Sequence, residues 1–327
     1  MSGRRAEMWN LIGDVGGTNM RLAAVSSDGE ILEQRSFPSK GDVPLEEVCR
    51  SFVSPRDGAP GHVVIAAAGV VKDGQVTLTN ARQTASESGI AAACGTGHAK
   101  ILNDFEAAAW SLATVGAEDV TVLQGTTQFQ RAPRLIIGPG TGLGVGSLIY
   151  AHGQPAVVPG EGGHVAIAPR RADLVAVFDC LTRDWPEVAM GAPLAVEAEA
   201  LLSGTGLPRF YRALAEVRGT AAVCVENAEI FAAAQTQSDA VAVEAVALFA
   251  EYLGAVAGDL GLVLGATGGV FVTGGLALKN PWMFDTGFLE AFNAGGRHQS
   301  WREAMPVYLY SNEDFGLIGA RNYLMTL

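Results

Sequence analysis

"NLIGDVGGTNMRLAAV", residues 10–25, sets an acid, Asp14, between an apolar run and a pair of glycines, Gly16 and Gly17. The runs on either side predict strand, glycine bend, strand. The bend is not a dinucleotide-binding turn, because G-x-G-x-x-G counted from Gly13 meets Val15 where its second glycine belongs. Nor is it a P-loop, which needs a lysine after its last glycine. Two readings remain: a tight hairpin, for which glycine is the default residue, or a bend whose backbone amides converge on an anion.

A second copy of the pattern decides between them. "RLIIGPGTGLGVGSLIY", residues 134–150, again runs strand, glycine turn, strand, and the following "AHGQP" and "AVVPGEGGHVAIAP" add a turn and further strand character. Here too the dinucleotide spacing fails, since the sixth position from Gly138 is Leu143. Aligning Ile12-Gly13 with Ile137-Gly138 matches the two segments element by element, as an internal duplication of one supersecondary unit would. Two matching turns, one with Asp14 and the other with Thr141, favour a paired phosphate clamp over two incidental hairpins. Asp14 beside phosphate makes sense with Mg²⁺ between them, because bare carboxylate and phosphate repel.

Around these turns the chain alternates strand-like and helix-like segments. A meander "WNLIGDV", "MRLAAVS", "EILEQRSF" precedes a helix at "PLEEVCRSFV", a buried strand "HVVIAAAGVV", a short strand "QVTLTN", and a strand "AKIL" feeding a helix "FEAAAWSLA". Such alternation predicts an α/β sheet covered by helices. Residues 172–261 are rich in Ala, Glu and Leu at helical spacing, as in "LAVEAEALL" and "VAVEAVALFAEYLGAVAGDLG", and the end reads as a strand "PVYLYS" and a terminal helix "GLIGARNYLMTL". The uncharged run "LGLVLGATGGVFVTGGLAL", residues 260–278, is long enough to span a bilayer. Its glycines and Val-Phe-Val centre instead predict helix end, turn, buried strand, turn.

Composition bounds the rest. A chain of 327 residues exceeds one ordinary core, so two lobes with a cleft between them are expected. With 49% hydrophobic and 17% charged residues it has the balance of a fully folded protein. Asp and Glu number 34 against 22 Lys and Arg, which argues against nucleic-acid and anionic-membrane partners. An anionic ligand must then be held locally, by backbone amides, helix N-termini or a metal ion. The four cysteines are far apart and form no C-x-x-C pair, so they read as buried thiols of a cytoplasmic protein, and no export signal precedes Gly13. "EDFG", residues 313–316, contains the D-F-G of protein kinases but lacks the other kinase motifs and is set aside.

Two polar clusters could bear chemistry. In "ILNDFEAAAW" Asn103 and Asp104 stand where a strand meets a helix. Asn103 reads as an N-cap paired with Glu106, and Asp104 then occupies the first turn, free to project above the sheet edge. In "PGEGGHVAIAP" Glu161 and His164 sit among glycines, in an apolar setting where a carboxylate needs partners. Together they suit recognition of several hydroxyls. A metal is the lesser reading of that pair, with no third ligand nearby in sequence.

Taken in order, these segments resemble the bacterial glucokinases of the ATP-dependent hexokinase type over nearly the whole chain. "GDVGGTN" resembles their first phosphate segment, "GPGTGLG" the second, "LNDF" the catalytic Asn-Asp, "PGEGGH" the sugar loop, "AEALLSGTGLPRFYRAL" the following acid and S-G-x-G-L run, and "GGVFVTGGLA" the adenosine segment. The resemblance implies an actin-like ATPase fold with two ribonuclease-H-like lobes around a deep cleft: residues 1–114 with 312–327 as the small lobe and 115–311 as the large one. It implies ATP-dependent phosphorylation of glucose at the 6-hydroxyl, with Asp104 as general base. Asn80, Asn103, Asp104, Gly138, Glu161, His164 and Glu199 would meet the sugar, with Glu197 a competing candidate for the place of Glu199. Gly13, Asp14, Gly16, Gly17, Thr18, Asn19, Gly140, Thr141 and Gly142 would serve the phosphates, Asp14 would hold Mg²⁺ through water, and Gly274 and Gly275 would lie beside adenosine. One departure stands out: "ARQTAS" follows Asn80 where the family commonly has an aromatic.

The alternatives are a kinase for another hexose or amino sugar, a non-catalytic sugar sensor such as a repressor, and an actin-like or chaperone-type ATPase. A repressor needs a DNA-binding module, and the first phosphate strand starts near Trp9, with an acidic chain throughout. The polar cluster residues disfavour an ATPase without a sugar. The Ala-rich helices offer an apolar face that would serve a homodimer or the core equally well.

Overall fold

The opening stretch folds as an antiparallel pair. In the computed structural model, which describes residues 8–16, 19–39, 43–78, 83–191 and 194–327, β1 (Trp9–Val15) pairs with β2 (Asn19–Ser26), setting Gly13 opposite Leu22 and Asp14 opposite Arg21. Leu11, Ile12 and Val15 are all buried, because β1 is a central strand with both faces covered. β3 (Ile31–Pro38) completes the meander as a mostly exposed edge. After α1 (Leu45–Val53), β4 (Val63–Ala67) runs parallel to β1.

The run "HVVIAAAGVV", expected as one strand, breaks after Ala67. Gly69 takes φ +149°, and the chain turns into a small ribbon of β5 (Val71–Lys72), β6 (Gln75–Thr77) and β7 (Thr84–Ser86). α2 (Glu87–Cys94) then leads to β8 (Ala99–Asn103), parallel to β4, and to α3 (Asp104–Ser111).

Beyond residue 115 the pattern recurs. β9 (Val120–Gln124) is followed by β10 (Arg134–Pro139) and β11 (Leu143–Ala151), antiparallel across the second glycine turn, and by β12 (Gln154–Val158). A short pair, β13 (Ala166–Ile167) and β14 (Val196–Glu197), brackets α4 (Val175–Asp184). Then come α5 (Leu207–Val217), α6 (Asn227–Gln235), α7 (Ala240–Leu264), β15 (Gly269–Val272), α8 (Gly275–Lys279), α9 (Thr286–Asn293), α10 (Gln299–Glu303) and β16 (Val307–Tyr310). The chain ends in α11 (Phe315–Leu324).

The two main sheets have strand orders β3-β2-β1-β4-β8 and β12-β11-β10-β15-β16-β9. In each, the first strand of the hairpin lies beside two parallel strands, β4 and β8 in one and β15 and β16 in the other. The duplication seen in sequence is therefore a duplication of topology, with β9 added as an antiparallel edge. By contacts the chain divides into two units, Met1–Val115 with Gly153–Val157 and Asn312–Leu327, and Gly116–His152 with Val158–Ser311.

Each unit has its own core. In the first, Leu11, Leu22, Ile65 and Ile101 from the sheet pack with Phe52 of α1 and Ile90 of α2. The second is larger and centres on α7, capped by Asp239 at its start and by left-handed Gly265, φ +70°, at its end. α7 is long and apolar enough to cross a bilayer, yet 72% of its most apolar window is buried within the fold. Residues 260–278 follow their sequence reading: helix end, turn, the buried strand β15, turn.

"LAVEAEALL" corrects the sequence reading. It forms the strand β14 and a single 3-10 turn, Ala198–Ala200, in place of a helix. Pairing with β13 and the bond from Ala198 N–H to the Val165 carbonyl, 2.8 Å, outweigh its helix propensity.

Candidate active site

In the first unit the bend after β1 is closed by its own backbone. Gly16 N–H donates to the Asn19 carbonyl, 3.1 Å, while the Ser39 hydroxyl donates to the Gly16 carbonyl, 2.7 Å. Gly17 and Thr18 lie outside the described residues. Gly13 is embedded in the sheet, where a Cβ would run into Ile65 and Leu22. Asp14, on the last turn-ward residues of β1, meets the Arg21 guanidinium at 2.6 Å, and Arg21 also pairs with Asp314 and donates to the Glu313 carbonyl, 2.9 Å. Burial pushes the Asp14 carboxyl above its ordinary value, and Arg21 pulls it back only in part.

The segment set aside as a false kinase motif thus has a structural task. Glu313, Asp314 and Gly316 start α11 against Asp14, and the Gly316 position has no room for a Cβ beside that carboxylate. No signal in the sequence linked residues 14 and 316, because the contact crosses the whole chain.

At the other end of the sheet, β8 hands over to α3 through Asn103. Its side-chain oxygen accepts from the N–H groups of Phe105, 2.8 Å, and Glu106, 3.3 Å, and its amide donates to the Gly69 carbonyl, 2.9 Å. One side chain therefore caps the helix and pins the loop after β4. Asp104, the first residue of α3, accepts from Phe105 N–H at 3.0 Å and is partly buried. Burial pushes the Glu106 carboxyl above its ordinary value. Asn80 lies outside the described residues.

In the second unit the turn Gly140-Thr141-Gly142 mirrors the first, since Gly140 N–H folds back onto the Gly142 carbonyl, 2.8 Å. A separate segment clasps it. Gly204 N–H donates to the Gly140 carbonyl, 2.8 Å; Thr205 donates to the Thr141 carbonyl from its N–H, 3.3 Å, and its hydroxyl, 3.0 Å. Glu199 accepts from Leu143 N–H at 2.7 Å and fills the space a Cβ on Gly142 would need. Asn227 in turn donates to the Gly204 carbonyl, 2.8 Å. The S-G-x-G-L run is thus a brace for the second turn.

Gly274 and Gly275 arrive at the same place from β15. Gly274 has φ +90° and lies against Gly138 and Pro139 at the end of β10, whereas a Cβ on Gly275 would meet nothing within 4 Å. Gly138 itself is buried within β10. Open space at the carboxyl ends of parallel strands is where ligands of α/β sheets bind.

Glu161 and His164 flank the 3-10 turn Gly162–His164. Glu161 is exposed, so the apolar setting expected for it is not realised. Its neighbours in sequence are apolar, but the glycine loop carries the side chain out of the core. His164 Nδ1 lies 2.7 Å from Glu197. That bond lifts the imidazole above its ordinary value against the effect of burial, with the charges of Glu199, Glu197 and Glu161 adding to the lift. The ligand-bearing atoms of His164, Glu197 and Glu199 all lie within 4.8 Å of one another. The acids missing from the local sequence come from β14 and the turn after it, which β13 pairing brings alongside.

A cavity of about 620 Å³ lies elsewhere in the second unit, among Ala234, Val246, Ala250, Trp282, Met283 and Ala291, and none of the candidate residues lines it.

A model of the family described as Glucokinase matches residues 11–327. The curated glucokinase of Chelativorans sp. (strain BNC1) is 36% identical over 321 residues, covering 97% of this chain and 91% of that protein. The crystal structure of a glucokinase from an Antarctic psychrotroph superposes with a TM-score of 0.84 at 28% identity, covering 98% of this chain and 99% of the other. A ROK family glucokinase from Streptomyces griseus, solved in complex with glucose and AMPPNP, has a TM-score of 0.57 at 21% identity over 96% and 98% of the two chains. The fold is accordingly that of the sugar kinases with the two-lobed actin-like ATPase architecture. From the match over its whole described length, the chain belongs to the glucokinase family of sugar-phosphorylating enzymes.

Proposed function

We propose that the chain transfers the γ-phosphoryl group of ATP to the 6-hydroxyl of glucose, with Asp104 as general base. The observation that supports this most is the double anchoring of Asn103, which fixes the strand-to-helix junction and so the backbone that bears Asp104. The relative solved with glucose and an ATP analogue supports the two substrates. Asp104 accepts the hydroxyl proton as that oxygen attacks in line. The transition state is loose, so the proton leaves late and positioning supplies most of the rate. Asn103, Glu161, His164 and Glu199 hold the sugar, with Asn80 and Gly138 beside it.

Asp14, Gly16, Gly17, Thr18 and Asn19 serve the phosphates from one turn, Gly140, Thr141 and Gly142 from the other, and Gly274 and Gly275 flank adenosine. Asp14 fits a water-mediated contact to Mg²⁺: it is a hard oxygen ligand with 20% of its side chain exposed, and Arg21 already occupies one carboxylate oxygen. The ion, when bound, offsets charge on the transferred oxygens.

The test is Asp104→Asn, which keeps the shape and removes the base; a fall of about 10²–10⁴-fold in turnover is expected, and less than about tenfold would overturn the assignment. Glu161→Gln should raise the sugar KM with little change in ATP KM. A second reading, a kinase for another hexose or an amino sugar, is favoured by "ARQTAS" after Asn80 in place of an aromatic. A panel of sugars in an ATP-consumption assay separates the two.

A further inference from the structure

We propose that Glu197 is a positioning residue for His164, holding the imidazole by Nδ1 so that Nε2 is the atom offered to the sugar. The proposal rests on the reading above in which His164 meets the sugar, and it assigns Glu197 a different task from Glu199.

The two side chains meet because the backbone beneath them is fixed. Ala166, two residues past His164, pairs with Glu197 across β13 and β14, and Ala198 N–H donates to the Val165 carbonyl, 2.8 Å. The carboxylate and imidazole are therefore set opposite each other by main-chain bonds, with Nδ1 at 2.7 Å. Glu199, two residues on, is engaged elsewhere, on Leu143 N–H. Glu197 faces the ring and Glu199 braces the turn.

The exposures fit this division. Glu197 is 22% exposed and His164 46%, so the carboxylate is the covered partner and the ring keeps an open side. As a surface ion pair this contact would be worth little in stability. Its chemical effect is larger. A carboxylate at Nδ1 keeps the proton there in the neutral ring, so Nε2 presents a lone pair to a sugar hydroxyl; once the ring is protonated, Nε2–H donates instead. A hydroxyl can take either role, and sugar binding then survives titration of the ring with the bond reversed.

The charged groups facing the ring are Glu197 and Glu199 from β14 and its following turn and Glu161 from the start of its own turn. β11, which packs on the same turn, contributes Leu143 and Val145, both uncharged. All three carboxylates favour the imidazolium, and Glu197 most.

The experiment compares Glu197→Gln, Glu197→Asp and His164→Gln with the intact chain. Glu197→Gln should raise the glucose KM by about 3- to 10-fold, the worth of one hydrogen bond, and leave kcat and the ATP KM within about twofold. The inflection in the pH profile of kcat/KM for glucose should move down toward 6.5, the ordinary histidine value. In the sugar-free protein, ¹⁵N NMR of the His164 ring should show the Nδ1–H tautomer, lost in Glu197→Gln and kept in Glu197→Asp.

An unchanged glucose KM and inflection in Glu197→Gln, with His164→Gln impaired, would overturn the proposal and leave the sugar-site reading standing. An unchanged glucose KM in His164→Gln would remove that reading and the proposal with it. An Nε2–H tautomer in the intact protein would overturn the proposal by itself.

Discussion

Replacing Gly274 by alanine should destabilise the second unit, whereas the same change at Gly275 should not. Gly274 has φ +90° and ψ 152°, a region essentially reserved for glycine, where another residue costs about 1–3 kcal/mol. A Cβ would also lie 2.6 Å from the Pro139 carbonyl oxygen and 2.9 Å from the Gly138 carbonyl carbon. Both atoms are backbone of β10, a fully buried strand, so relief requires a strand or the turn to shift, at about 1–3 kcal/mol for overpacking of this kind. For a unit of this size each kcal/mol lowers the midpoint by roughly 2–4 °C, so a drop of at least about 4 °C is expected by calorimetry.

Gly275 begins α8 and has nothing within 4 Å of a Cβ, so alanine there gains about 0.5–1 kcal/mol of helix propensity and the midpoint holds or rises. Its methyl group nevertheless enters the open space assigned to adenosine. An overpacked ligand contact of about 1–3 kcal/mol corresponds to roughly a 5- to 150-fold rise in ATP KM. A midpoint within about 1 °C of the parent for Gly274→Ala would refute the close-approach reasoning. An unchanged ATP KM for Gly275→Ala would refute the placement of adenosine.

Asn103→Ala removes both a helix cap and the bond to Gly69, and should cost about 2 kcal/mol in denaturant unfolding; Asn103→Asp, which keeps the cap acceptor and loses the donor, should cost about half as much. Glu106→Gln tests the burial of that carboxyl. Because its value in the fold lies above the ordinary 4.5, the folded state holds the proton longer than the unfolded one. The parent therefore loses stability relative to Glu106→Gln as pH rises above about 4.5, and the difference vanishes at lower pH. Thermal midpoints of the pair from pH 4 to pH 8 give the sign, and a difference independent of pH would contradict it.

The sequence by itself determined what depends on local pattern. Strand, glycine bend and strand at residues 10–25 and 134–150, and the cap at Asn103, are readable because alternation, glycine and a side-chain acceptor act within a few residues. The duplicated order of the two sheets followed from the same repetition. Tertiary structure decided whatever joins distant segments. "LAVEAEALL" has helix propensity, and only the neighbouring β13 turns it into a strand that aims Glu197 at His164 and Glu199 at Leu143. Asp14 meets Arg21, readable as a strand partner, but also Asp314 and Gly316 at the far end of the chain. Such contacts leave no periodicity in the sequence, because what selects them is the space and the unpaired groups that the folded sheets present.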